Sequence, residues 1–137
     1  MKIFNVCLPL YWLILLALIP SEKGTCQAVE VNKQIASALS AGNATELATY
    51  FNTMVDLSIP GTEDSYGKTQ ATRIMQDFFT KYPVKSYKSS KQGSSNDGSQ
   101  FSIGRMEAGN KIFRVYFLLK KTTDKFLIHQ FQIQEEN

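Results

Sequence analysis

The sequence predicts a single α+β domain, and three observations carry that prediction. Apolar residues recur at helical spacing in the first half of the chain, the period changes to two in the second half, and turn residues divide that second half into strands of similar length. Behind a leader-like N-terminus about 110 of the 137 residues remain, enough for one modest core and too few for two.

Met1-Lys2 followed by the apolar run Val6 to Ile19 has the charged start and short apolar middle of a secretory leader. Fourteen apolar residues fall short of the roughly 20 that a helix needs to cross a bilayer. Pro20-Ser21-Glu22-Lys23-Gly24 breaks the run, and small residues at Gly24, Cys26 and Ala28 offer cleavage after Cys26 or after Ala28. Residues 1–28 are therefore read as a signal peptide and 29–137 as one domain, exported to a periplasm or secreted, with no stable membrane span after cleavage. Two alternatives stand beside this: Cys26 as the lipidated first residue of a lipoprotein, although Lys23-Gly24-Thr25 lacks the usual preceding Leu, and an uncleaved anchor.

The leader also bounds the chemistry. Cys7 and Cys26 are the only cysteines, so the mature domain would hold no disulfide, thiol nucleophile or thiolate cluster. His129 is the single histidine, which argues against a histidine-rich metal site, and no acidic run has calcium-loop spacing. No metal and no cofactor is expected. Losing Lys2, Glu22 and Lys23 leaves 13 basic and 11 acidic residues, a balance that argues against nucleic acid as a partner. Lys81, Lys85, Lys88 and Lys91 bunch in a serine-rich stretch, the pattern of an edge strand guarded by lysine.

Val31, Ile35, Ala38 and Leu39 predict a first helix over 29–40, ended by Gly42. Asn43 with Glu46 three positions on spells a capping box, and Leu47, Tyr50, Phe51 and Met54 are read as the stripe of a second helix. Asn43-Ala44-Thr45 also spells a glycosylation acceptor, which capping explains equally well. Val55, Leu57 and Ile59 then alternate with Asp56 and Ser58 until Pro60-Gly61, and 62–67 is read as a polar connection. Ala71, Ile74, Met75, Phe78 and Phe79 mark a third helix that Pro83 stops near Tyr82. Strands follow over 84–92, 100–107, 111–120 and 126–134, with Asn96, Asp97 and Gly98 offered as positive-φ turn residues. The stretch Ile112 to Leu119 reads as buried on both faces and central in the sheet.

This order of elements resembles the nuclear transport factor 2-like superfamily, the cystatin-like cone, in which three N-terminal helices pack on a curved antiparallel sheet. At closer range Ser40-Ala41-Gly42-Asn43, Tyr50-Phe51, Asp77-Phe78-Phe79, Gln92-Gly93-Ser94-Ser95 with Asp97-Gly98, and Arg114 to Lys121 resemble an uncharacterised exported family of Gram-negative bacteria. The resemblance implies a fold and a concave pocket but no activity, because fold alone does not settle function.

In such a cone, polar side chains that alternate with core residues are the pocket candidates. His129 alternates with Leu127, Phe131 and Ile133, and Arg105 with Phe101 and Ile103, which would turn both inward; Tyr66 and Tyr50 could place hydroxyls near a mouth. The candidate pocket set is thus His129, Arg105, Tyr66, Tyr50 and Phe131. Asp56 is read as facing solvent. On the outer face Arg114, Tyr116 and Leu118 would neighbour Gln130 and Gln132, a surface suited to a homodimer or partner. The sequence therefore points to an exported non-catalytic binding or interaction domain, for a small molecule, peptide or envelope protein. The alternative is a small isomerase- or cyclase-like enzyme with Asp56 or His129 as proton carrier.

Overall fold

One six-stranded sheet, covered on one face by three helices, makes up the computed structural model, which describes residues 23–137. The elements run α1 (Lys23–Ala41), α2 (Ala44–Ala48), β1 (Phe51–Ile59), β2 (Thr62–Gly67), α3 (Lys68–Lys81), β3 (Val84–Ser94), β4 (Gln100–Ala108), β5 (Lys111–Thr122) and β6 (Lys125–Glu136). The apolar run Val6 to Ile19 and its leader assignment lie outside the described residues. The first helix begins earlier than its periodicity suggests, at Lys23, and Ala28 is already packed in the core.

Strand order is β2-β1-β6-β5-β4-β3, so β5 is central, as the apolar run Ile112 to Leu119 predicted, and β6 lies beside it. The sheet is mixed rather than wholly antiparallel, because β1 lies parallel to β6. That pair joins the first strand to the last and docks the β1–β2 hairpin onto the four-stranded meander β3 to β6. Local periodicity carries no trace of so distant a pairing.

The second helix is a single turn and a half. Asn43 caps it, its Oδ1 accepting from the Glu46 amide at 3.0 Å. Bonds of the shorter i to i−3 type, Thr49 N to Glu46 O and Tyr50 N to Leu47 O, then tighten its end. Tyr50 O accepts from Ile128 N at 2.7 Å, so Tyr50 meets β6 and Phe51 opens β1. Tyr50, Phe51 and Met54 are therefore not a helical stripe: sheet pairing overrides helical spacing, and Met54 is 53% exposed. The polar segment 62–67 is likewise a strand. Paired only with β1, it sits at the sheet edge, where a polar composition is at home.

The β3–β4 turn departs from expectation in a smaller way. Gly98 alone takes a positive φ (85°), while Asp97 serves through its carboxylate, which accepts from the Ser99 amide and hydroxyl at 3.0 and 2.6 Å. β3 is the other edge, with Lys85, Lys88 and Lys91 exposed along it.

Between helices and sheet the interior is filled. Phe51, Phe113, Phe117 and Phe131 are each at most 1% exposed, and Leu39, Leu47, Met75, Met106 and Ile128 complete the packing. Phe117 and Phe131 stack with centroids 6.4 Å apart, and Phe51 meets Phe131 edge-on at 6.1 Å. Each such ring stabilises the fold by about 2–3 kcal/mol through burial alone. Under α1, Gly104 makes room for a neighbour: a Cβ there would lie 2.2 Å from the Tyr87 hydroxyl.

Candidate functional site

Alternation along the strands sorts every candidate residue to one face or the other, and most of them fall outside. On β5, Phe113, Val115, Phe117 and Leu119 point to the helices and are fully buried. Ile112, Arg114, Tyr116 and Leu118 point away and are exposed or half-buried. β5 is therefore one-sided rather than buried on both faces.

His129 lies on the outer side, contrary to the sequence reading. Leu118 pairs with Gln130 and Leu119 with Ile128, which leaves His129 as the extra residue of a β-bulge. The bulge shifts the alternation, so Phe126 and Ile128 face inward before it and Phe131 and Ile133 after it. The imidazole Nε2 lies 3.2 Å from Thr122 Oγ1. Burial holds its pKa below the usual histidine value, the Lys120 ammonium lowers it further, and Asp56 pulls the other way.

Arg105 also points outward. It pairs with Arg114 on β5 and Lys88 on β3, its side chain is 60% exposed, and its Nε lies 3.8 Å from a Glu136 carboxylate oxygen. Phe101 and Ile103 share that outer side, so alternating with them never turned the guanidinium toward the core. Phe131, by contrast, is fully buried and lines no pocket mouth.

Tyr66 and Tyr50 are half-buried in different places. Tyr66 pairs with Val55 at the β2 edge and packs against the core. The Tyr50 hydroxyl donates to Gln34 Oε1 at 2.7 Å, and its ring lines an apolar groove of about 360 Å³ with Val31, Phe126 and Leu127. Burial, then the Glu46 carboxylate, raises its pKa. The five pocket candidates do not converge: one is core, two are outside and two are at separate rims.

The outer-face group does assemble. Arg114 stands opposite Gln134, Tyr116 opposite Gln132 and Leu118 opposite Gln130. Arg114, Tyr116, Gln130, Gln132 and Gln134 line a trough of about 320 Å³. It continues across β6 into a second hollow of about 290 Å³, which shares Gln130 and Gln132 and adds Asp56, Ser58, Glu63 and Ser65. There the Ser65 hydroxyl donates to Asp56. Asp56 faces solvent, as read from the sequence.

The trough is polar, half-buried and open. Among the described residues, the Tyr116 phenol and the Gln130 and Gln132 amides take part in no internal hydrogen bond. Amide and phenol groups held at the surface of a sheet can make polar contacts with a docked molecule. Gln134, Ser58, Glu63 and Ser65 were not singled out from the sequence. The Gln130-Gln132-Gln134 alternation signalled the first, whereas reading 62–67 as a connection hid Glu63 and Ser65. Among the described residues no cluster of three metal-ligating side chains occurs.

Comparison with known proteins agrees with this architecture. No curated protein matches the chain. Two solved structures of DUF4783 family proteins are similar over most of their length. The one from Bacteroides ovatus has 36% identity and a TM-score of 0.72, covering 76% of this chain and 94% of that one. The one from Bacteroides uniformis has 33% identity and a TM-score of 0.74, covering 78% and 98%. An NTF-2-like protein of unknown function from Silicibacter pomeroyi shares the fold at 8% identity, with a TM-score of 0.61 over 86% of this chain and all of that one. The family model for the domain of unknown function DUF4783 matches residues 32–134. The chain belongs to the DUF4783 family and carries its nuclear transport factor 2-like fold.

Proposed function

We propose that the protein is an exported, non-catalytic interaction domain that works through the outer face of its sheet. The observation that carries this reading is the filled interior. Phe51, Phe117 and Phe131 occupy the space between helices and sheet in which a cone-shaped enzyme would hold its substrate. Asp56 and His129, the two proton carriers an isomerase-like reading would use, open onto solvent on the outer face instead, where water is not excluded. The unpaired polar trough around Tyr116 and Gln132 supports docking there.

Burial of Ala28 in the core favours leader removal after Cys26, which leaves that contact intact. Recovery of the secreted or periplasmic product is expected to show Gln27 as its first residue. An N-terminus at Val29, or a product still carrying the apolar run, would contradict this assignment.

The interaction reading is tested by a photo-cross-linking amino acid placed at Tyr116 or, as a control, at exposed Gln76 on α3 in the exported protein. Adducts to another polypeptide chain, or to a second copy, are expected from position 116 and not from 76. Equal yields from both positions, or none from 116, would remove the outer face as the working surface.

A further inference from the structure

We propose that the outer face carries a binding site for a small polyhydroxylated molecule bearing one oxyanion, a phosphate or a carboxylate, held by Arg105 and Arg114 and laid along the glutamine trough. The proposal rests on the outer-face reading above and adds the chemistry of what that face receives.

Three cations stand side by side on neighbouring strands. Lys88 on β3 pairs with Arg105 on β4, and Arg105 pairs with Arg114 on β5, all three exposed on the outer face. Side chains directly opposite one another across strands lie about 5 Å apart at Cβ, where like charges repel and weaken the pairing. The sheet does little to offset this. Among the described residues Lys88 and Arg114 form no ion pair, and the carboxylate beside Arg105, that of Glu136, lies 3.8 Å from Nε. That is longer than the roughly 2.7–2.9 Å of a charge-assisted hydrogen bond, and with side chains 60% and 43% exposed the contact contributes little. Lys91 adds a fourth cation in the next row, while Glu107 and Glu136 supply two carboxylates in the row on the other side. Four cations against two carboxylates leave two positive charges uncompensated.

An oxyanion supplies what this row lacks. A guanidinium presents its N–H groups as a planar fork that matches two oxygens of a phosphate or carboxylate, and Arg105 and Arg114 place two such forks on adjacent strands. Lys88 extends the positive field to the free edge of β3, so an anion is drawn in from the side of the sheet.

The trough beside Arg114 defines the rest of the ligand. Gln134 stands opposite Arg114 and Gln132 opposite Tyr116, and the hollow of about 320 Å³ falls at the lower end of the roughly 300–1,000 Å³ of small-molecule sites. Each glutamine amide both donates and accepts, as does the Tyr116 phenol. Hydroxyl groups do the same, so a polyhydroxylated body matches this lining, whereas an apolar body would cover the amides without pairing them. Charge sets the orientation. Where the trough continues past Gln130 and Gln132, Asp56 and Glu63 make its far end acidic. One oxyanion is therefore held at the Arg114 end, and a second at the far end would be repelled.

Isothermal titration of the mature protein at low salt tests this with glucose 6-phosphate, glucuronate, inorganic phosphate and glucose. The two sugar acids are expected to bind and to weaken as salt rises, and glucose is expected not to bind measurably at millimolar concentration. Inorganic phosphate, which lacks the hydroxyl body, is expected to bind about tenfold more weakly than glucose 6-phosphate. Binding of the sugar phosphate alone, or of glucuronate alone, upholds the site and names its oxyanion. Arg105→Gln and Arg114→Gln are each expected to weaken the tighter sugar acid about tenfold, and Lys33→Gln, on α1 across the sheet, by less than about twofold.

Three results would overturn the site: no binding of either sugar acid at millimolar concentration, glucose binding as tightly as they do, or losses in the arginine variants no larger than in Lys33→Gln. Cross-linking from position 116 to another polypeptide would then still uphold the outer face, so the two failures are told apart.

Discussion

At the residue scale, His129 shows how one extra position changes chemistry. Spaced two residues from both Leu127 and Phe131, it reads as a core-facing imidazole, but the bulge moves it outside beside Thr122 and within the influence of Lys120 and Asp56. Partial burial still makes protonation less favourable than in the unfolded chain, whose histidine titrates near 6.5. Below about 6.5 the unfolded state therefore binds more protons than the folded one, so stability is at its full value above that pH and declines as pH falls toward the lower folded value. Melting curves from pH 7.5 to 5.5 are expected to show a steeper loss for the parent protein than for His129→Gln. Superimposable pH profiles would mean that the imidazole titrates as it does in the unfolded chain. Other residue-level features have no such signal in the sequence. The Asn32 Oδ1 is buried without a partner and the Tyr87 hydroxyl likewise, with burial pushing the latter's pKa up to about 12.

At the element scale, legibility followed the strength of local signals. The third helix was readable almost to the residue, because Ala71, Met75, Phe78 and Phe79 repeat at helical spacing and Pro83 forbids continuation. The strands from β3 to β6 were readable because alternation and turn residues agree. The second helix and β2 were not, and for related reasons. Tyr50 and Phe51 have helical spacing from Leu47 but are claimed by β6, while Thr62 to Tyr66 lacks an apolar face because an edge strand needs little of one. What holds so short a helix is its cap. Asn43→Ala removes the Oδ1 acceptor for the Glu46 amide and is expected to cost about 1 kcal/mol, measured by denaturant unfolding with unchanged slope. Asn43→Asp or Asn43→Ser, which keep an acceptor, are expected to retain most of the stability. Equal losses in all three variants would show that Asn43 acts through something other than capping.

At the scale of the whole molecule, the fold was legible and its use of the interior was not. A cone with amphipathic helices over a sheet is compatible with an open pocket or a plugged one, and only the meeting of side chains from distant strands decides between them. Phe131 from β6 meets both Phe51 from β1 and Phe117 from β5, and none of the three reveals this in its own segment. The proposed site moved for the same reason: the candidates read as lining an interior pocket are core residues, rim residues or outer-face residues, and the polar groups that do assemble lie on the outer face. Removing the central ring tests the premise directly. Phe131→Ala should destabilise the protein by about 3–5 kcal/mol and leave an apolar void that a benzene-sized molecule can enter. Benzene is therefore expected to raise the melting temperature of the Phe131→Ala protein and leave that of the parent unchanged, because ligand binding stabilises only a state with room for it. A parent protein stabilised to the same degree would mean that its interior is already open, and the case for an outer working face would lose its main support.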